Sequence, residues 1–274
     1  GSLLRNGFDL MVRDLDKAMA QPFLDQGAKW ADSPKEMAVA CDIVITCLPS
    51  PAASAAVLEA DDGIIAGLSA GKIWAEMSTT DEAEVKRLGA LVAATGAKPV
   101  DCPVSGGVEG AKNGSLVMMV GGNETILDIA RDALESIASK IIYIGPTGAG
   151  QATKAVNQIM AAGINQAVTE ALAFGKAMDL PMDKVIDVIS KGAAGCWFLE
   201  HRGKTMLAES YEPGFKIALH HKDLLICQSM TRESNNNNLP IIEMTLLHYR
   251  RLIDEGFGDE DISALFRLKQ EKLS

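Results

Sequence analysis

The sequence predicts an α/β domain with a doubly wound sheet, followed by an all-α domain, and three observations carry that prediction. Residues 8–145 alternate short β-rich runs with helical stretches, the rhythm that gives strands joined by crossover helices. After Gly148 no strand-like run follows, and a helical pattern continues from Gln151 to about Met178 without proline or paired glycines. The chain has 274 residues, enough for two domains that each bury a core.

Taken in order, FDLMV reads as a strand, with a helix to about Gln26 after it. DIVITCLP is the next strand, and a polar-capped helix separates it from KIWAEM. A helix from Thr80 leads to AKPVDCP; SLVMMVGG, a helix from about Glu124 and KIIYIG close the first half. Such alternation predicts a parallel sheet. The uninterrupted pattern from Gln151 predicts a helix of roughly 28 residues, or about 42 Å at ~1.5 Å per residue, leading from one domain into the next. Further helices are expected at 182–191, 195–209, 219–235 and 240–253, with PMDK and LPII as proline-led starts. Asn235–Asn238 reads as an exposed loop between two of them. The domains are expected at 1–147 and 148–274.

This order is that of a Rossmann-type domain with a helical partner. Such a domain normally opens with a strand, a G-x-G-x-x-G turn and a helix. Here the chain opens at GSLLRNG, which reads as the later part of that helix, so the first strand and glycine-rich loop are expected to be missing. The shortfall is roughly twenty residues. Gly1-Ser2 reads equally as an expression scar.

Composition narrows the function. Hydrophobic residues make 47% and charged residues 23%, ordinary for a globular chain. Acidic residues outnumber basic ones, 36 to 26, and no Lys/Arg-rich stripe appears, so neither a nucleic-acid nor an anionic membrane surface is expected. The five cysteines, Cys41, Cys47, Cys102, Cys196 and Cys227, show no CxxC and no His pairing. They predict reduced thiols, no metal site and a cytoplasmic location. No apolar run approaches the ~20 residues of a membrane span, and no signal peptide opens the chain.

The polar residues at strand ends carry the chemistry. Asp14 follows the FDLMV strand, where a carboxylate reads the adenosine ribose hydroxyls and repels a 2′-phosphate, favouring NAD over NADP. Two alternatives stay open: Asp14 as a helix cap, and Arg13 beside it as a phosphate partner. Cys47-Leu48-Pro49-Ser50-Pro51 and Ser78-Thr79-Thr80 end two further strands, on the side of the sheet where ligands bind, although Thr79 or Thr80 serves equally as a cap. In Asp101-Cys102-Pro103-Val104-Ser105-Gly106-Gly107, the Ser-Gly-Gly offers a hydroxyl and approachable N–H groups, a nest suited to a carboxylate.

The sharpest feature is GAGQATKAVNQ, residues 148–158, in which Lys154, Asn157 and Gln158 share one helical face. Hydride exchange at a carbinol carbon requires a group that takes or gives the hydroxyl proton, and Lys154 is the candidate. Lys222-Asp223 lies early in a later helix, Lys222 as a cofactor contact and Asp223 as its local partner. His220 and His221 beside them invite a proton-shuttle reading, but no acidic partner follows from their spacing.

Together DCPVSGG, GAGQATKAVNQ and PGFKIALHHKDL, in this order, resemble the 3-hydroxyisobutyrate dehydrogenase family, the β-hydroxyacid dehydrogenases that include tartronate semialdehyde reductase. The resemblance covers essentially the whole chain. It implies Lys154 as catalytic acid/base, Ser105, Gly106 and Gly107 on the substrate carboxylate, and Asn157 and Gln158 orienting substrate and lysine. It also implies cofactor contacts from Asp14, Leu48, Pro49, Thr79 and Lys222, with NAD as cofactor and NADP as the alternative. The substrate is a small carboxylate, a 3-hydroxy acid or its semialdehyde, and the assembly a homodimer or homotetramer. Asn157-Gln158 and PGFKIALHHKDL look like the tartronate semialdehyde branch, whereas GAAGCWFLEHRG resembles the hydroxyisobutyrate type. Two rival readings keep the fold: an imine or 6-phosphogluconate-type reductase, and a catalytically inactive scaffold serving protein interaction.

Overall fold

A computed structural model describes residues 1–233 and 238–270, so Asn235–Asn237 of the expected loop lie outside the described residues. The chain divides into two compact units, Gly1–Lys154 and Ala155–Ser274. The division falls inside one helix.

In the first unit the order is α1 (Ser2–Arg5), β1 (Met11–Val12), α2 (Lys17–Leu24), β2 (Lys29–Trp30), α3 (Pro34–Ala40), β3 (Ile43–Thr46), α4 (Pro51–Glu59) and β4 (Ile73–Glu76). Then come α5 (Glu82–Ala94), β5 (Lys98–Asp101), β6 (Val104–Ser105), α6 (Gly107–Asn113), β7 (Leu116–Gly122), α7 (Glu124–Glu135) and β8 (Ala138–Gly145). Capping side chains start the helices where the chain leaves a strand: Ser33, Ser50 and Asp81 each accept an N–H three residues on. Asp81 is thus the cap of α5, and not Thr79 or Thr80. Asp16 likewise caps α2 by accepting from Ala18, which removes that role from Asp14.

Strands β3, β4 and β5 are parallel neighbours, while β1 and β2 pair in a separate two-stranded parallel sheet. The sheet is mixed where the sequence predicts parallel pairing, because β7 runs antiparallel to β5 and to β6 before β8 adds in parallel. Val100, Asp101, Val104 and Ser105 pair in one unbroken register with Gly122, Gly121, Met118 and Val117. β5 and β6 therefore form one line along β7, interrupted at Cys102-Pro103. Pro103 still accepts from Met119 N–H at 3.0 Å, so the line keeps its course.

Both faces of this sheet are covered, which is why KIWAEM is apolar almost throughout. Ile73, Ala75 and Met77 pack on Val100, Met118, Val120 and the α7 residues Ile126, Leu127, Ala130 and Leu134. Trp74 faces the other way, onto Val44, Leu58 of α4 and Val85, Leu88 and Val92 of α5. Its indole N–H donates to Thr46 Oγ1 at 2.9 Å, which satisfies the one polar atom of a fully buried side chain.

The second unit is built on α8 (Ala149–Ala177), α9 (Met182–Ile189), α10 (Trp197–Leu207), α11 (Ile217–Glu233), α12 (Pro240–Asp254) and α13 (Phe266–Lys269). No strand appears there among the described residues, in keeping with the sequence pattern. Ala162, Val168 and Leu172 of α8 pack with Leu224 of α11, Ile242, Tyr249 and Leu252 of α12, and Phe266. Each such burial contributes roughly 1.5–3 kcal/mol for a Leu, Ile or Phe side chain. Asn165 ties the layers by donating to Tyr249 Oη at 2.9 Å and to the Ile262 carbonyl at 2.8 Å. No helix among the described residues is long and apolar enough to cross a membrane.

Candidate active site and family

Parallel β3 and β4 end side by side, and their exits are stitched together. Leu48 N–H donates to Ser78 Oγ at 2.7 Å, and Ser78 N–H donates to Glu76 Oε1 at 2.7 Å. Leu48 and Thr79 are half-buried there and Pro49 is exposed. Glu76 is fully buried on the Trp74 face of β4. Burial holds its carboxyl above the usual carboxylate range, against hydrogen bonds with Ser78, Ser54 and Thr46. Asp14 lies two residues past β1, exposed, with Oδ1 accepting from Asp16 N–H at 3.0 Å. Arg13 is turned from it: Nη1 donates to the Ala31 and Asp32 carbonyls at 3.2 and 2.7 Å, and the guanidinium lies over the Trp30 ring.

Beyond β5 the chain reaches the Ser-Gly-Gly. Ser105 ends β6 half-buried, and exposed Gly106 and Gly107 open α6 with φ of 131° and 61°. Both φ values lie where only glycine is relaxed, so the two N–H groups turn in a way that a side-chain-bearing residue resists.

Lys154 sits on the second turn of α8 and is 8% exposed. Asn157 is half-buried and Gln158 buried on the following turn. Asn157 Nδ2 donates to Gln158 Oε1 at 2.7 Å, and Gln158 Nε2 donates to Asp223 Oδ2 at 2.7 Å. Lys222 Nζ is 2.9 Å from Asp223 Oδ1. Asp223 is therefore the hub of the second-unit residues, a larger part than the local partner of Lys222 expected from sequence.

His220 is fully buried, with Nδ1 3.0 Å from Tyr249 Oη and Nε2 3.2 Å from the Gln158 carbonyl, so its ring nitrogens tie α11 to α12 and α8. Burial, with help from Arg250, holds neighbouring His221 below the usual imidazole range.

Sequence reasoning gave no role to two residues that the fold singles out. Asp101 and Gln151 are 0% and 1% exposed, and they join the ends of β4 and β5 to the start of α8. The glycines flanking Ala149 were the available signal, since a close backbone approach is what glycine permits.

Comparison with known proteins assigns the chain. Residues 1–145 match the model for the NAD binding domain of 6-phosphogluconate dehydrogenase. Residues 148–269 match the model described as the NAD-binding domain of NADP-dependent 3-hydroxyisobutyrate dehydrogenase. The chain belongs to the β-hydroxyacid dehydrogenase family. Among its relatives in that family, an uncharacterized oxidoreductase of Shewanella frigidimarina is 38% identical, over 99% of this chain and 94% of that protein. The L-threonate dehydrogenase of Cupriavidus necator is 32% identical, over 97% of this chain and 90% of its own length. A 3-hydroxyisobutyrate dehydrogenase structure from Mycobacterium tuberculosis, solved with L-serine, superposes with a TM-score of 0.88 at 27% identity, covering 98% of this chain and 94% of that one. As a β-hydroxyacid dehydrogenase, the protein is an NAD(P)-dependent oxidoreductase.

The residues present suit that cofactor in part. The stitched exits of β3 and β4 lie where open α/β sheets receive ligands, and the Asp14 carboxylate is of the type that takes ribose hydroxyls. No Gly-x-Gly-x-x-Gly turn occurs in the sequence, so no residue is assigned to the pyrophosphate.

Proposed function

We propose that the protein interconverts a short 3-hydroxy acid and its semialdehyde, of the 3-hydroxyisobutyrate or tartronate semialdehyde type, with Lys154 as acid/base. The observation that carries this reading is the burial of Lys154 on the second turn of α8, with two amide side chains on the next turn. Bound nicotinamide supplies the hydride acceptor or donor. In the oxidation direction Lys154 Nζ takes the hydroxyl proton of the substrate; in the reduction direction it returns that proton to the carbonyl oxygen. Ser105, Gly106 and Gly107 hold the carboxylate through the serine hydroxyl and the two glycine amides. Asn157 and Gln158 fix the lysine and the substrate hydroxyl. Two relatives are named for carboxylate substrates, threonate and 3-hydroxyisobutyrate, which supports an acid rather than an imine.

Asp14, Leu48, Pro49, Thr79 and Lys222 are the cofactor contacts of this reading. NAD is preferred, because Asp14 presents a carboxylate while Arg13 is held on backbone carbonyls and is not poised for a 2′-phosphate. Five widely spaced cysteines with no CxxC suit the cytoplasm, and exposed Val156, Met160 and Phe174 of α8 suit burial in a homodimer or homotetramer, which sedimentation tests.

The test of the substrate class is the absorbance of NADH and NADPH mixed with the protein and each of tartronate, methylmalonate and succinate semialdehydes. Oxidation of NADH by one aldehyde is expected. Silence with all three, from folded protein that binds NADH, overturns this substrate class.

A further inference from the structure

We propose that Asp101 and Gln151 are positioning residues for Lys154, fixing the first turn of α8 to the ends of β4 and β5 and so setting where the lysine amine stands. This inference rests on the reading of Lys154 as the acid/base.

Every helix begins with N–H groups that have no partner inside the helix. At α8 the last residue of β5 meets them from far along the chain. Asp101 Oδ1 accepts from Gly148 N–H at 2.8 Å and Oδ2 from Gln151 N–H at 3.0 Å. Hydrogen bonds of this charge-assisted kind are roughly twice as strong as neutral ones. Gln151 then uses both ends of its amide on the exit of β4: Nε2 donates to the Ser78 carbonyl at 2.8 Å, and Oε1 accepts from Thr80 N–H at 3.1 Å. The first turn of α8 is thereby held by two strands through four hydrogen bonds.

Glycines make this possible. A Cβ on Gly121 would lie 2.5 Å from Asp101 Oδ1, and one on Gly150 would lie 2.7 Å from Oδ2 and 2.5 Å from the Met119 carbonyl. The carboxylate occupies the space that two absent side chains leave. Burying a carboxyl is unfavourable, and burial does raise this one above its usual range, with the backbone N–H groups opposing. The arrangement spends that cost at the helix turn immediately before Lys154. Gln151 and Lys154 are three residues apart, neighbours on the helix surface and about 4.5 Å apart along its axis. Movement of the first turn moves the amine with it. A misplacement of ~1 Å at a reacting group costs on the order of 10²-fold in rate.

The experiment is a mutant cycle of Asp101→Asn with Lys154→Ala, following kcat, KM and the Kd of NADH by fluorescence. Asp101→Asn keeps the size and one acceptor while removing the charge. Alone it is expected to lower kcat by roughly 10- to 100-fold, with KM and the NADH Kd within about threefold. In the Lys154→Ala background it is expected to have almost no further effect, because its action passes through the lysine. Multiplying effects, or a kcat for Asp101→Asn within twofold of wild type, would overturn the inference. Should Asp101→Asn fail to fold, Gln151→Ala enters the same cycle with the same expected non-additivity. Near-normal turnover of Lys154→Ala is the separate result that removes the acid/base reading itself.

Discussion

Gln158 and Asp223 join α8 to α11 through a 2.7 Å hydrogen bond between two buried side chains. The other oxygen of Asp223 faces the Lys222 ammonium at 2.9 Å, and Gln158 in turn receives Asn157. One carboxylate thus arranges all three of the second-unit residues to which the sequence assigns a role. Asp223→Ala leaves a buried amide donor without its acceptor, at a cost of ~1–3 kcal/mol in stability. Turnover is expected to fall at least tenfold as well. Thermal melts beside initial rates check this; lost stability with unchanged turnover would confine Asp223 to holding the two helices together.

Cofactor choice is expected to follow Asp14. Its carboxylate is exposed, whereas the Arg13 guanidinium is anchored on the Ala31 and Asp32 carbonyls. Asp14→Ala should weaken NADH binding and narrow the preference for NADH over NADPH. Titrating both cofactors against the variant reads this directly, and an unchanged ratio would move the ribose contact elsewhere.

Glu76 gives stability a pH dependence of known sign. Burial raises its pKa in the folded protein above the unfolded value near ~4.3. A raised carboxyl pKa means that the folded state holds the proton more tightly, so its contribution is complete below the unfolded pKa and is lost as pH rises through the folded one. Hydrogen bonds with Ser78, Ser54 and Thr46 favour the ionised form, but burial outweighs them. Glu76→Gln keeps the acceptor for Ser78 N–H and cannot ionise. Its Tm relative to wild type should therefore climb as pH rises above ~4.3; a difference that is flat or falling with pH would contradict the assignment.

The fold was legible where period and punctuation are strong. KIWAEM reads as a strand, and the structure makes it β4, with Trp74 and Ala75 facing opposite helical layers. The two-residue strands Lys29–Trp30 and Val104–Ser105 were not legible, since two residues carry no period. Nor was the direction of β7, because alternation says which residues face the core and not which way a strand runs. At the site, GAGQATK marks the lysine through its glycines and helical spacing. Its partners were hidden by separation: Asp101 lies 47 residues before Gly148, and Asp223 lies 65 after Gln158. The partners of His220, Tyr249 and the Gln158 carbonyl, were hidden in the same way, 29 and 62 residues away along the chain.

The most direct measurement is the turnover of Lys154→Ala with the cofactor and aldehyde that the wild-type protein uses. A loss of about 10²- to 10⁴-fold is expected, the span of a general acid/base, with NADH binding and the thermal melt preserved. Turnover close to wild type would contradict the account, leaving the buried lysine of α8 as a structural residue and the proton chemistry to another group.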